Sequence, residues 1–238
     1  MIWNISSVKF DRLESSSVLS IIEIKNGGFL VAGDSLFRLD SEGRLLWQSS
    51  YGTKGYGRIY SVLEMENGQS YLGLSQKNNE LFVIQLDKNG RINANSSLGN
   101  YDGYPLPSMQ ATKNGYLILF FNNTNSLMET VNLNTDGKVT NQKTLMNASN
   151  PIIMTHEGEF FSVELRSDTG GKSINPFEGE KTIVIAKKLD NNGILMWEQP
   201  VTTLCKPKAM NNIEITSVVQ TSDGGYIILG SRDNFFKC

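Results

Sequence analysis

Two carboxylates occupy matching places in this chain: Glu23, four residues before Gly27, and Glu64, four residues before Gly68. A general acid and a base or nucleophile ~5–9.5 Å apart is what cleaving a glycosidic bond requires. The corresponding places further along carry Gln110 and Gln220, which do no acid–base work. Glu23 and Glu64 also fit an alternation that turns them toward neighbouring strands or solvent. Other catalytic chemistry is thinner. His156, in "THEGEF", is the sole histidine, which excludes a histidine-dependent triad and a multi-histidine metal site. It reads as a solvated turn residue. Asp40, Asp87 and Asp190 open Asp-x-x-Gly sequences that hint at calcium. A calcium loop needs several convergent oxygens over about a dozen residues, whereas these are tight turns, so no metal or cofactor is expected.

Binding chemistry is better represented. The stretches "YGTKGYGRIYS" (51–61) and "GNYDGYPLP" (99–107) concentrate Tyr51, Tyr56, Tyr60, Tyr101 and Tyr104 beside Arg58 and Asp102. Tyrosine supplies rigid apolar area with a polar tip at low entropic cost, which suits a sugar or a peptide. A long insertion, "RSDTGGKSINPFEGEKT" (166–182), adds Phe177. The candidate ligand-binding set is therefore Tyr56, Arg58, Tyr101, Asp102, Tyr104 and Phe177. The competing reading is packing: Tyr51 and Tyr60 continue strands, and the glycines near Tyr56 and Tyr104 shape turns.

These residues need a scaffold, and internal repetition supplies it. "IKNGGFLVAG" (24–33), "MENGQSYLGL" (65–74), "TKNGYLILFF" (112–121), "THEGEFFSVE" (155–164) and "TSDGGYIILG" (221–230) align on a turn glycine. Gly27, Gly68, Gly115, Gly158 and Gly224 are spaced by 41, 47, 43 and 66 residues. A second landmark follows in "LFRLDSEGRLLW" (36–47), "VIQLDKNGRINA" (83–94), "TVNLNTDGKVTN" (130–141) and "IAKKLDNNGILMW" (185–197). Asx-x-x-Gly between apolar runs is turn chemistry. Each unit reads strand, Gly turn, strand, loop, strand, Asx-Gly turn, strand, which is the signature of a β-propeller blade.

The expected fold is all-β: a five-bladed β-propeller of four-stranded antiparallel blades in one domain, 1–238. The blades are 17–51, 61–98, 108–146, 151–202, and 213–238 joined by 1–8. In the last, three C-terminal strands are completed by "MIWNISS", where Trp3 matches Trp47 and Trp197. Counted through the join, Gly224 to Gly27 is again 41 residues. A longer propeller cut after its fifth blade's third strand is the competing account. The short Gly turns share one end of the sheets. The longer connections, including "TTLCKPKAMNN" (202–212), share the other, where concave sites form by default. Cys205 then falls in a loop and Cys238 ends a strand at the opposite end. A five-residue strand spans ~17 Å and bridged Cα atoms lie within ~7 Å, so free thiols are expected.

The pattern DGGYxxxG followed by LDxxGxxxW resembles repeat propellers of bacterial and archaeal secreted or lipid-anchored proteins, a relaxed quinoprotein-like form. Ala94 and Asn141 depart from it at the Trp position. The resemblance implies an extracytoplasmic location, cell surface or periplasm, with membrane contact only through a lipid anchor outside this chain. "MIWNISSVKF" lacks a signal peptide's charged start and apolar core, so either the chain is cytosolic or its export signal has been removed. A net charge of −2 gives no reason to expect nucleic acid, which favours a clustered basic surface. The sequons at Asn4, Asn95, Asn122 and Asn147 matter only in a eukaryotic secretory setting. Three functions stay open: a monomeric, non-catalytic module binding a glycan or peptide, an assembly module for a protein partner, and a glycoside hydrolase using channel carboxylates.

Overall fold

In a computed structural model, the structure describes residues 18–102, 106–146, 148–149, 151–167, 180–206 and 213–232. Four antiparallel four-stranded meanders follow one another. The first is β1 (Val18–Glu23), β2 (Phe29–Gly33), β3 (Leu36–Leu39) and β4 (Leu45–Ser49). The second is β5 (Ile59–Glu64), β6 (Ser70–Lys77), β7 (Glu80–Asp87) and β8 (Ile92–Asn100). The third is β9 (Ser108–Thr112), β10 (Gly115–Asn122), β11 (Leu127–Leu133) and β12 (Val139–Leu145). The fourth is β13 (Ile152–Met154), β14 (Phe160–Ser167), β15 (Glu180–Leu189) and β16 (Leu195–Lys206). A fifth sheet pairs β17 (Ile213–Gln220) with β18 (Tyr226–Arg232). Residues 1–8 and 233–238, which hold Trp3 and Cys238 and on which the closing strand was expected, lie outside the described residues. So do Asn4 and Asn147.

The turns form as their residue types dictate. Asp40, Asp87, Asn134 and Asp190 each accept, on Oδ1, the backbone N–H groups two and four residues on, at 2.8–3.1 Å. The glycine three residues on donates back to the carbonyl of the same Asx. Gly43, Gly90, Gly137 and Gly193 accordingly take φ of +80, +74, +75 and +79°. One carboxylate oxygen of each of these aspartates, Oδ1, is thus engaged by the chain's own amides. The third sheet departs from the repeat: Lys113 and Asn114 alone join β9 to β10, with Thr112 paired to Gly115. Gly115 sits at φ +138°, where any Cβ would collide with the Leu133 carbonyl.

Two compact units divide at Lys143/Thr144, inside β12. In the first, β6 and β7 are buried on both faces. Leu72, Leu74, Leu81 and Val83 face one core, with Tyr116, Ile118 and Phe120 of the third sheet. Tyr71, Ile84 and Leu86 face the other, with Leu30, Ala32 and Leu36 of the first sheet. Period-2 alternation between two apolar layers explains why these strands read as unbroken apolar runs. The outermost β8 and β12 are largely exposed and correspondingly polar. In the second unit, Phe161, Val163, Val184 and Ala186 meet Val218, Ile215 and Ile228. The rings of Phe161 and Tyr226 stack there at 3.7 Å.

One boundary differs from the sequence expectation. Cys205 is not in a loop: β16 runs on to Lys206, with Cys205 opposite Lys181. Two register shifts let β16 keep pairing with the ten-residue β15, so the backbone of 202–206 finds its partners in a strand rather than in solvent.

Candidate functional site

Within the first unit, the Gly-turn end carries the candidate carboxylates. Glu64, last residue of β5, accepts the N–H of Lys25 on Oε2 at 2.7 Å, reaching across to the first sheet's turn. Its other oxygen is buried without a hydrogen-bond partner. Glu23 is exposed, opposite Phe29. The second unit repeats the device: Gln220, last residue of β17, accepts the N–H of His156 on Oε1 at 2.6 Å. Its amide nitrogen donates to Glu157 at 3.3 Å. In the third sheet a phenol does the same work, Tyr116 taking the N–H of Glu66 at 2.9 Å. Glu64 therefore serves as an acceptor that clasps one sheet to the turn before it, and His156 contributes its backbone. Sequence reasoning missed this clasp because each partner lies 39–64 residues away.

A depression of about 350 Å³ also lies at this end, lined by Met65, Glu66, Asn67, Gln85, Thr135 and Asp136 among others. Its amides are engaged: Gln85 donates to the Asp136 carbonyl at 2.9 Å, and Asn67 Oδ1 accepts the N–H groups of Gln69 and Ser70.

The opposite end of the same unit gathers the candidate binding residues. The N–H of Gly57 donates to the Gln76 carbonyl at 2.7 Å, pinning the 51–58 link along β6. Arg58 is half-exposed, its Nε 2.8 Å from Asp34 Oδ1. Lys77 Nζ stands 4.9 Å over the Tyr56 ring. Tyr60 donates to Gln76 Oε1 at 2.9 Å, and Gln76 donates on to the Tyr101 carbonyl at 2.9 Å. Asp102 is exposed, its N–H given to Asn123 Oδ1 at 3.1 Å. The Lys77-Asn78-Asn79-Glu80 turn has both asparagines at positive φ, +52 and +60°, as a tight hairpin turn requires.

Of the expected ligand set, Arg58 and Asp102 lie at the surface. The rings of Tyr56 and Tyr101 do not present a face to solvent. Tyr101 is 0% exposed and packs edge-on against Tyr60 at 5.5 Å. Tyr56 is 7% exposed, edge-on against Phe82 at 5.7 Å. Tyr51 is buried too and donates to the Gly90 carbonyl at 2.8 Å. Burial raises all these phenols, Tyr51 to about 12 and Tyr101 further, so they remain neutral donors. Tyr51 and Tyr56 belong to the core shared with the first sheet, and Tyr101 to the core shared with the third. Tyr104 and Phe177, with the 168–179 part of the insertion, lie outside the described residues. Asp34 and Lys77 join the site unannounced, because their roles depend on cross-sheet neighbours.

No protein-family model matches this chain, and no curated protein matches it. Among solved structures, the Dos1 propeller is similar, with a TM-score of 0.51 at 15% identity over 90% of this chain and 55% of that one. The fold is that of a β-propeller. Among the described residues, four four-stranded antiparallel sheets and a two-stranded fifth make about five blade-like sheets. A protein of unknown function from Bacteroides caccae gives a TM-score of 0.49 at 13% identity, over 90% of this chain and 71% of that one. The Kuenenia stuttgartiensis hydrazine synthase gives 0.47 at 11% identity, over 69% of this chain and 51% of that one. This chain spans about half the length of the Dos1 and hydrazine synthase chains.

Proposed function

We propose that this propeller is a non-catalytic binding module of the cell surface or periplasm, taking a glycan or peptide on the loop end of its blades. The observation that carries this reading is Arg58. Asp34 lies 2.8 Å from its Nε, yet the Arg58 side chain remains 52% exposed. A tethered but uncovered guanidinium is a ready-made recognition group. Asp102, exposed, and Asn123, which takes its N–H, add polar groups to the same end of the first unit. At the other end Glu64 is committed to the Lys25 amide, which argues against its use as a hydrolytic carboxylate. A thermal-shift panel of oligosaccharides and peptides tests the reading. At least one ligand should raise the melting temperature, and Arg58→Ala should erase that rise. A panel with no response, or turnover of aryl glycosides lost in Glu64→Gln, overturns it.

A second reading, assembly with a protein partner, is favoured by the outer strand β16. Leu195, Met196, Trp197 and Val201 are 38, 52, 36 and 52% exposed there. A stoichiometric partner recovered with wild type and lost with Met196→Asp plus Val201→Asp would support it.

A further inference from the structure

We infer that the ligand of the loop end is acidic, a carboxylate-bearing sugar whose carboxylate is gripped by Arg58 with Lys77 and Lys54 alongside; this rests on the reading of that end as the binding surface. Lys54 and Arg58 flank Tyr56 in the 51–58 link, and Lys77, at the end of β6, stands over the Tyr56 ring. Lys54 ends the 3-10 turn Gly52–Lys54, and the adjacent Gly55 lies 3.3 Å, measured from a Cβ placed on it, from the Lys77 side chain. Gly57, between Tyr56 and Arg58, is bonded to Gln76, the neighbour of Lys77.

Two of the carboxylates nearby already have partners. Asp34 faces Arg58 through Nε, the inner side of the guanidinium. Glu80, opposite Lys77 in register, accepts from Ser97 at 2.8 Å. Among the described residues, Asp34 is the one ion-pair partner of Arg58, whose side chain stays 52% exposed. Lys77 and Lys54 have no carboxylate partner there. Lys77 rests on the face of the Tyr56 ring, which holds a cation in place without neutralising it. An Arg anchored at Nε offers its outer NH edge as a fork matched to a planar carboxylate.

The source of the carboxylate follows from what surrounds the fork. Tyr51, Tyr56 and Tyr60 are at most 9% exposed, so the described surface beside Arg58 offers no apolar socket for a peptide side chain. A sugar acid brings its carboxylate together with hydroxyls for the amides and ammonium groups around it.

Calorimetric titration with an oligogalacturonate, its fully methyl-esterified counterpart and an oligoglutamate tests this. The acid form should bind, and esterification should weaken it about tenfold or more, as should Arg58→Gln. Asp34→Asn should weaken it by a smaller factor, since the fork loses its anchor and not its charge. Lys113→Ala, which removes one exposed charge from the opposite end, should leave binding unchanged. Equal affinity for acid and ester, or an acid affinity indifferent to Arg58→Gln, overturns the inference. If neutral sugars bind instead and Arg58→Ala removes them, the function stands and the acidic ligand falls. If oligoglutamate binds better than the sugar acid, the assignment to sugars falls. If no glycan or peptide binds at all, both readings fall together.

Discussion

The two ends of the first unit's sheets follow opposite rules. At the Gly-turn end the geometry is copied from sheet to sheet: the same Asx oxygen takes the same two amides, and the same glycine turns at φ near +75 to +80°. At the loop end no two connections agree. The first sheet crosses at Asp34-Ser35, the second uses an Asn-Asn turn, and the third closes Asn122 on Ser126 at 2.8 Å. Copied turns are what a repeated scaffold needs to keep its register, and variable loops are where a scaffold carries its distinctive surface. The contrast is sharpened by the tyrosines. They lie at the variable end by sequence, yet most of them serve the core.

The strongest way to break this comparison is Tyr101→Ala. If the ring is core and not ligand surface, unfolding by denaturant should show a loss of about 4 kcal/mol. A loss near zero would return Tyr101 to the surface set. Gly90→Ala attacks the copied end. The residue sits at φ +74°, and a Cβ there would meet the Trp47 ring at 2.8 Å. A cost of about 2–3 kcal/mol is expected in the same measurement. Glu64→Ala removes one clasp and should cost about 1 kcal/mol, while Glu64→Gln, the residue type at position 220, should stay close to wild type.

Smallest is the pH response of Asp40. Its side-chain hydrogen bond with Arg44, aided by the turn amides, holds its carboxyl below the ordinary value of 3.8. A depressed folded-state value means the stabilisation is complete above 3.8 and is lost as pH falls through the folded value. Asp40→Asn should therefore flatten the acid limb of the melting temperature against pH and lower the neutral value slightly, since Arg44 loses its Oδ2 acceptor. Asn134 already forms the same turn without a charge.

Blade architecture was legible in the sequence because turn chemistry is local. Gly27, Gly68, Gly158 and Gly224 all take positive φ, and each is identified by its immediate neighbours. Gly115 shows the limit: it aligns with them but opens β10 after a shorter turn. The site was less legible. A tyrosine flanked by glycines reads alike whether its ring faces solvent or closes a core, and Tyr56 and Tyr101 are decided by Phe82 and Tyr60. Cys205 was misplaced because "VTTLCK" continues a strand only by virtue of its partner β15. Arg58 and Asp102 lie at the surface because charge beside a loop needs no distant partner to be exposed.

The clasp seen at the second, third and fifth sheets asks its residue for nothing but a lone pair aimed at one amide. A carboxylate, a carboxamide and a phenol all meet that demand, in Glu64, Gln220 and Tyr116. Successive units can thus diverge in almost every letter while the joint between them persists. Kinship among such chains is then better traced by where an oxygen arrives than by which amino acid brings it.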